Sequence, residues 1–322
     1  MHPGPRIKTL TWKPIVWFVA ARTPAVLALA LLCLAGPALA DYRAGVQAYE
    51  LGDFEAAMGQ WLPEANNGDA PCQAAVGLLY YEGLGVKQNF ATAIDWLTQA
   101  ANQNNDIAQY TLGVIHERGQ GTKADAQQAA RWYALAATQG NPRAQNNLGL
   151  LYYAGQGVKQ NHEEAALWLN RAANQGVAQS QFTLARMYLD GQGVNQDDTK
   201  AARWLTAAAK QGLSLAQTDL ALLYLQGRGV KQNDKQAFAW FQLAADQNIP
   251  RAQRLLAGLY EAGRGTPKNL ETAYFWYYLA ERNQDKLAPT RRKQLEKDLP
   301  KSQIAKASER ARKWLEERKQ DK

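Results

Sequence analysis

The segment AQNNLGLLYYAGQGVKQNHEEAALWLNRAANQGVAQ, residues 144–179, is one copy of a unit that recurs six times along the chain. Its landmarks return every 36 residues in one register, with Trp at 96, 132, 168, 204, 240 and 276 and Gly-x-Gly beginning at 83, 119, 155, 191, 227 and 263. Alanine and Asn/Asp form two further columns, and tyrosine forms a third in which His116 fills one place. Self-similarity at a fixed period of this size is the signature of a repeat architecture.

The residue order within the unit predicts two helices. Ala144, Leu148 and Leu151 recur at helical spacing and predict a first helix, helix A. Gly155 supplies the left-handed conformation that ends a helix, and Asn161 has the chemistry of an N-cap for a second helix, helix B. We expect helix B to bury an apolar stripe composed of Ala165, Trp168, Ala172 and Ala173.

One helical hairpin cannot bury both of its apolar faces, so neighbouring copies must stack. The pattern Ala-x-x-x-Leu-Gly-x-x-Tyr-x-x-Gly-x-Gly-Val, followed by Ala-x-x-Trp-x-x-x-Ala-Ala-x-x-Gly, resembles the Sel-one-like repeat of the tetratricopeptide superfamily. The resemblance covers about residues 42–284 and implies an all-α, right-handed α-solenoid of helix-turn-helix repeats from a bacterial secreted or periplasmic protein.

The segments around the repeats differ from them. Residues 41–70 resemble an ordinary tetratricopeptide hairpin and are expected to cap the array of six repeats at 71–284. Residues 285–322 are expected to form charged capping helices at about 290–298 and 301–318, because a terminal repeat needs a polar outer face. Attraction of this basic tail to an anionic membrane surface or polymer is the alternative.

Residues 1–40 resemble a secretory signal peptide. Four basic residues and no acidic ones precede or flank an apolar run at 25–35, and Ala38-Leu39-Ala40 gives the small-x-small pattern of a cleavage site. We expect a signal peptide cleaved after Ala40 and a periplasmic or secreted mature chain without a transmembrane span. An uncleaved anchor is the alternative. The mature chain then holds Cys72 as its one thiol.

The 322-residue chain has a formal net charge of +8, but the charge is concentrated at its two ends. Residues 41–284 hold 20 basic and 22 acidic side chains, which argues against a nucleic-acid footprint.

Catalytic motifs are missing from the sequence. Gly-x-Ser-x-Gly is absent, and the Gly-x-Gly pairs never extend to a dinucleotide-binding pattern. His116 is expected to be packed in the tyrosine column, and His162, next to an N-cap, is expected to be exposed. We therefore expect no enzyme, no cofactor and no metal site.

In the geometry of tetratricopeptide proteins, a concave groove lined by the A helices binds the partner. By that analogy, eight side chains of varied chemistry are candidates for the groove: Tyr81, Tyr110, Glu117, Asn146, Tyr153, Phe182, Arg186 and Arg254. The sequence thus favours a non-catalytic scaffold or adaptor of the cell envelope that binds a protein or extended peptide. A peptidoglycan- or polysaccharide-binding envelope protein is the alternative.

Overall fold

A computed structural model describes residues 37–320, which form sixteen α-helices and no strand. The chain divides into two compact units, one that runs to Ala108 and one that begins at Gln109. The helices before the second repeat are α1 Pro37–Glu50, α2 Phe54–Asn66, α3 Ala70–Glu82 and α4 Phe90–Asn102. The next six are α5 Asp106–Arg118, α6 Ala126–Thr138, α7 Pro142–Ala154, α8 His162–Asn174, α9 Ala178–Asp190 and α10 Asp198–Lys210. The last six are α11 Ser214–Gln226, α12 Asp234–Asp246, α13 Pro250–Ala262, α14 Leu270–Arg282, α15 Ala288–Leu295 and α16 Lys301–Gln320.

Each predicted repeat is a helical hairpin, and consecutive hairpins stack within a unit. Helix A packs on helix B of its own repeat, as in α7 on α8, and helix B packs on the next helix A, as in α8 on α9. The chain therefore has the all-α repeat architecture that the 36-residue period predicts.

Capping residues lie at the helix ends where the sequence predicts them. The Asn161 side chain accepts hydrogen bonds from the backbone N–H groups of Glu163 and Glu164, at 3.0 and 3.1 Å. An Asn or Asp side chain caps helix B in this way in every repeat. These bonds satisfy backbone donors that would otherwise have no partner in the first helical turn.

In helix B the residue that follows the tryptophan is buried more completely than the tryptophan itself. Leu169 is fully buried, whereas Trp168 keeps 9% exposure, and Trp96, Trp132, Trp204 and Trp240 are only half-buried. A Cβ added at Gly149 would lie 2.8 Å from Cγ of Leu169, so the glycine in helix A makes room for this side chain. The column after tryptophan thus fills the space between the two helices of a hairpin.

The second glycine of four Gly-x-Gly turns brings two repeats into backbone contact. At Gly193, φ is +67°, and an added Cβ would lie 2.1 Å from the carbonyl oxygen of His162 at the start of helix B in the preceding repeat. Gly157, Gly229 and Gly265 approach the preceding repeat in the same manner. A side chain is excluded here by both the backbone conformation and the neighbouring backbone.

The segments on either side of the six repeats are also helical. In the first hairpin, α1 with α2, Trp61 is fully buried and its Nε1–H donates to the Tyr42 carbonyl at 3.1 Å. At the other end, α15 and α16 both pack on α14. Helix α15 begins two residues before the predicted start because the Asp285 carboxylate accepts the N–H groups of Leu287 and Ala288, each at 2.9 Å.

The predicted leader lies outside the described residues except for its last four, which belong to the first turn of α1. Among residues 37–320, no helix is long and apolar enough to cross a membrane.

The backbone contact at the turn gives a test of repeat stacking. Gly193→Ala should lower the free energy of unfolding by more than Gly212→Ala. Both glycines have positive φ, at +67° and +89°, but nothing lies within 4 Å of an added Cβ at Gly212. The left-handed conformation alone costs about 1–2 kcal/mol, so Gly212→Ala measures that cost and Gly193→Ala adds the collision between repeats. Urea denaturation of both variants makes the comparison, and equal losses of stability would refute the contact.

Candidate partner-binding face

A row of half-buried and exposed side chains runs along the A helices of the second unit. Helices α7, α9 and α11 present equivalent positions at 36-residue spacing, and these residues form what we name the A-helix face: Leu150, Tyr153, Arg186, Leu189, Leu222 and Leu225. None of these six side chains is fully buried, although the A helices supply much of the core through their other sides. The face combines leucine side chains with one cation and one phenol.

Arg186 is the exposed cation at the centre of this face. Its charge acts to lower the pKa of Tyr153 on α7 and of Asp219 on α11, so it lies within electrostatic reach of both neighbouring A helices. Its guanidinium carbon is 6.0 Å from the ring centroid of Phe182, one turn earlier on α9. Tyr153 and Asp219, on the preceding and following A helices, therefore both lie near Arg186.

Tyr153 carries the second polar group of the face. Its hydroxyl donates to Oε1 of Gln192 at 2.8 Å, and its ring packs on His162 with the centroids 5.1 Å apart. Burial raises the Tyr153 pKa despite the opposing effect of Arg186, so the phenol is neutral at physiological pH. A neutral phenol beside an arginine offers a partner both apolar area and hydrogen bonding.

Asp219 is a carboxylate that lies partly under the face. Its side chain is only 17% exposed, and Oδ1 is 3.5 Å from Nη1 of Arg251. Burial raises the Asp219 pKa, and the nearby charges of Arg251 and Arg186 do not compensate for that effect. The ionised carboxylate is thus held where the fold makes its charge unfavourable.

Asp219 is not among the eight groove candidates, because its position is not one that the tetratricopeptide analogy assigns to the groove. A signal was available in the sequence. The corresponding positions of the other repeats are Ala75, Thr111, Asn147, Thr183 and Leu255, so an acid stands in a column that is otherwise uncharged.

Two other predicted groove residues, Tyr110 and Glu117, lie on α5 and contact Tyr133 of α6. The half-buried Tyr110 ring has its centroid 5.9 Å from that of Tyr133. Glu117 is exposed, and its Oε2 accepts the Tyr133 hydroxyl at 2.6 Å. Both keep surface that a partner could reach.

Three of the predicted residues are packed inside the chain. Tyr81, in the first unit, is 9% exposed and packs its ring on Phe90. Asn146 is 9% exposed and accepts the Ser180 hydroxyl at 2.7 Å, while Phe182 is 3% exposed. These three side chains have almost no exposed surface with which they could contact the predicted partner.

Arg254 is the eighth predicted residue, and the chain already supplies it with a carboxylate. Its Nε donates to Oδ2 of Asp285 at 2.9 Å, and the two side chains are 22% and 10% exposed. This ion pair joins α13 to the segment that follows the last repeat. The structure therefore gives Arg254 an internal partner.

The two histidines of the described residues take packed positions. His116 is half-buried, as the tyrosine column predicts. The expectation that His162 is exposed is wrong, since it is half-buried against Tyr153, with its Nδ1 enclosed and without a hydrogen bond. Within residues 37–320, no three His, Cys, Asp or Glu side chains are grouped so that they could hold a metal ion.

Comparison with known proteins identifies the repeat. The family model for the Sel1 repeat matches six consecutive segments: 70–105, 106–141, 142–177, 178–213, 214–249 and 250–285. The chain belongs to the Sel1 repeat family. Its match to this family agrees with the resemblance inferred from the Trp and Gly-x-Gly columns.

Solved structures of other Sel1 repeat proteins are similar to this chain. One from Oxalobacter formigenes shares 29% sequence identity, with 76% of this chain and 98% of that chain covered and a TM-score of 0.66. Another is c5321, described as a protective antigen of uropathogenic Escherichia coli with an SLR fold. It shares 26% identity, with 87% and 84% coverage and a TM-score of 0.49. Comparison with curated proteins found no match.

Sel1 repeat proteins are typically non-catalytic scaffolds that mediate protein interactions. The A-helix face of this member combines half-buried leucine side chains with a few polar groups.

The buried Asp219 carboxylate gives a test in which the direction of the stability change is predicted. The folded-state pKa of Asp219 is raised, so the folded chain loses stability as the pH rises from the unfolded-state pKa through the folded-state pKa. Above the folded-state pKa that loss is complete, and there Asp219→Asn should raise the thermal unfolding midpoint. The gain should shrink as the pH is lowered toward the ordinary range of an aspartate.

Asp198→Asn is the matched control, since Arg228 binds that carboxylate through two hydrogen bonds of 2.7 and 3.0 Å. It should leave the midpoint unchanged or lower it. A destabilised Asp219→Asn variant at pH 7 would show that the carboxylate contributes to folding after all.

Proposed function

We propose that this chain is a non-catalytic interaction scaffold of the cell envelope that binds a protein or an extended peptide on the A-helix face. The observation that carries the proposal is the convergence of Arg186, Tyr153 and Asp219 from three successive repeats onto one surface. Membership of a family of interaction scaffolds supports it.

The chemistry of the face indicates how a partner would be held. Leu150, Leu189 and Leu222 offer apolar contacts at spacings set by the repeat, and Arg186 offers a charged hydrogen-bond donor between them. An extended peptide with an acidic residue between apolar residues matches this arrangement. Buried Asp219 supports the same reading, since sites that break the local rules of folding are expected where function requires them.

The partner test uses crosslinking and capture from a bacterial cell-envelope extract, with the full chain as bait. We expect a small set of proteins on the unaltered chain that is lost with Arg186→Ala, because the variant removes the central charge of the face. Arg203→Ala, an exposed arginine on helix B, is the matched control and should retain the same proteins.

Equal capture by the Arg186→Ala variant would show that the partner binds elsewhere. Retention of peptidoglycan fragments without any protein would favour the alternative of a wall-binding protein. Circular dichroism of each variant establishes that the helical content is unchanged.

The envelope assignment rests on residues 1–40 and has its own test. Fractionation of expressing bacteria should place the chain in the periplasm or the medium, with Asp41 as its first residue by N-terminal sequencing. Ala40→Phe should block processing, since the residue before the cleaved bond must be small, whereas Leu39→Phe should be processed normally. A cytosolic chain that retains residue 1 would overturn the assignment.

A further inference from the structure

The end of the repeat array contains an open cavity that the proposed function does not use. It has a volume of about 390 Å³ and is lined by Tyr278, Glu281, Arg282 and Arg292. The first three belong to α14, which packs against both α15 and α16. The cavity thus lies where the last repeat meets the helices that cap it.

Arg292 is fixed by the carboxylates around it. It forms ion pairs with Glu281 and Glu296, and its Nη1 donates to the Tyr274 hydroxyl at 2.7 Å. The side chain is 16% exposed. Arg292 is therefore a neutralised part of the cavity wall rather than a free cation.

Arg282 and Arg312 are arranged differently. Arg282 donates from Nη2 to the Tyr278 hydroxyl at 3.1 Å, and Arg312 of α16 lies close enough to the same hydroxyl to act on its pKa. Within residues 37–320 neither guanidinium has a carboxylate oxygen within 4 Å, although Glu309 and Glu316 act on Arg312 from further along its own helix. Both arginines are exposed, so each keeps donors for a ligand.

The Tyr278 hydroxyl completes the set of donors. Its oxygen accepts from Arg282, and its own hydrogen is left to donate. Burial acts to raise the pKa of this phenol, but the nearby guanidinium groups of Arg312 and Arg282 outweigh burial and lower it. The local field is thus positive and favours added negative charge.

We propose that Tyr278, Arg282 and Arg312 form a binding site for a phosphate group at the junction of α14 and α16. Three donors that approach from two helices suit a ligand with three or more acceptor oxygens, which phosphate has and a carboxylate lacks. Arginine forks bind phosphate through paired hydrogen bonds. A bound phosphate would also link the cap to the last repeat. Glu281 lines the same cavity and opposes an anion, so the site is a weak one.

The probe is inorganic phosphate, titrated into the full chain at constant ionic strength with binding measured by calorimetry. We expect saturable binding that weakens about tenfold in each of Arg282→Gln and Arg312→Gln, since a charged hydrogen bond contributes more than 1.4 kcal/mol. Glu281→Gln should bind more tightly, because it removes the opposing charge.

Arg43→Gln, an exposed arginine of α1, is the matched control for loss of one positive charge and should bind as the unaltered chain does. Phenyl phosphate in a parallel titration distinguishes the two sources of the ligand. Tighter binding of phenyl phosphate assigns the site to a phosphate monoester, and tighter binding of inorganic phosphate assigns it to the free ion.

Three results would overturn the proposal. These are the absence of saturable binding to the unaltered chain, binding that survives both arginine substitutions, and acetate binding as tight as that of phosphate. Both arginines are exposed, so their replacement leaves the core intact, and circular dichroism of each variant checks this.

Discussion

At Gly157, Gly193, Gly229 and Gly265 the second glycine of the Gly-x-Gly turn rests against the backbone of the preceding repeat, and the stacking of these repeats depends on that contact. At Gly193, Gly229 and Gly265 an added Cβ would fall 2.0–2.2 Å from a carbonyl oxygen at the start of the previous helix B. No side chain fits in that space, so the turn sets how closely two hairpins approach. Close approach lets small residues such as Ala201 and Ala208 be fully buried. The contact recurs every 36 residues, which explains why the period tolerates so little variation.

A buried row of glutamines ties the opposite ends of the helices together. The amide of Gln145 on helix A donates to the Ala137 carbonyl of the preceding helix B at 3.1 Å, and its Oε1 accepts from Gln175 at 2.8 Å. Gln181 and Gln211 repeat this pattern one copy later. A buried amide is unfavourable without partners, and here each one satisfies a helix end that would otherwise lack them. Glycine at one end and glutamine at the other therefore fix each hairpin on its neighbour within a unit.

With the core and the helix ends so constrained, variation between repeats is left to the outer positions. Leu150, Arg186 and Leu222 are equivalent residues with different chemistry, and the fold accommodates each of them. The fold accommodates Asp219 less well, because burial disfavours its charged form and raises its pKa. The C-terminal end shows the same freedom, where α15 and α16 cover the last repeat with charged side chains around Tyr278. Side chains whose identity packing does not dictate are concentrated on the A-helix face and at the C-terminal end.

The sequence alone determined the repeat, the two helices of each copy, their caps and the family, because period and capping chemistry are local properties of a chain. It identified Arg186 and Tyr153 as surface residues of the A helices, but it also selected Asn146 and Phe182, which are buried, and Arg254, which Asp285 binds. The tertiary structure decided which equivalent positions face a neighbour. It showed that Leu169 is buried more completely than Trp168, that His162 is half-buried, and that Asp219 lies within electrostatic reach of Arg186. A period says which residues are equivalent, whereas burial depends on how the next hairpin is set against the first, and that arrangement arises from contacts between residues far apart in the chain.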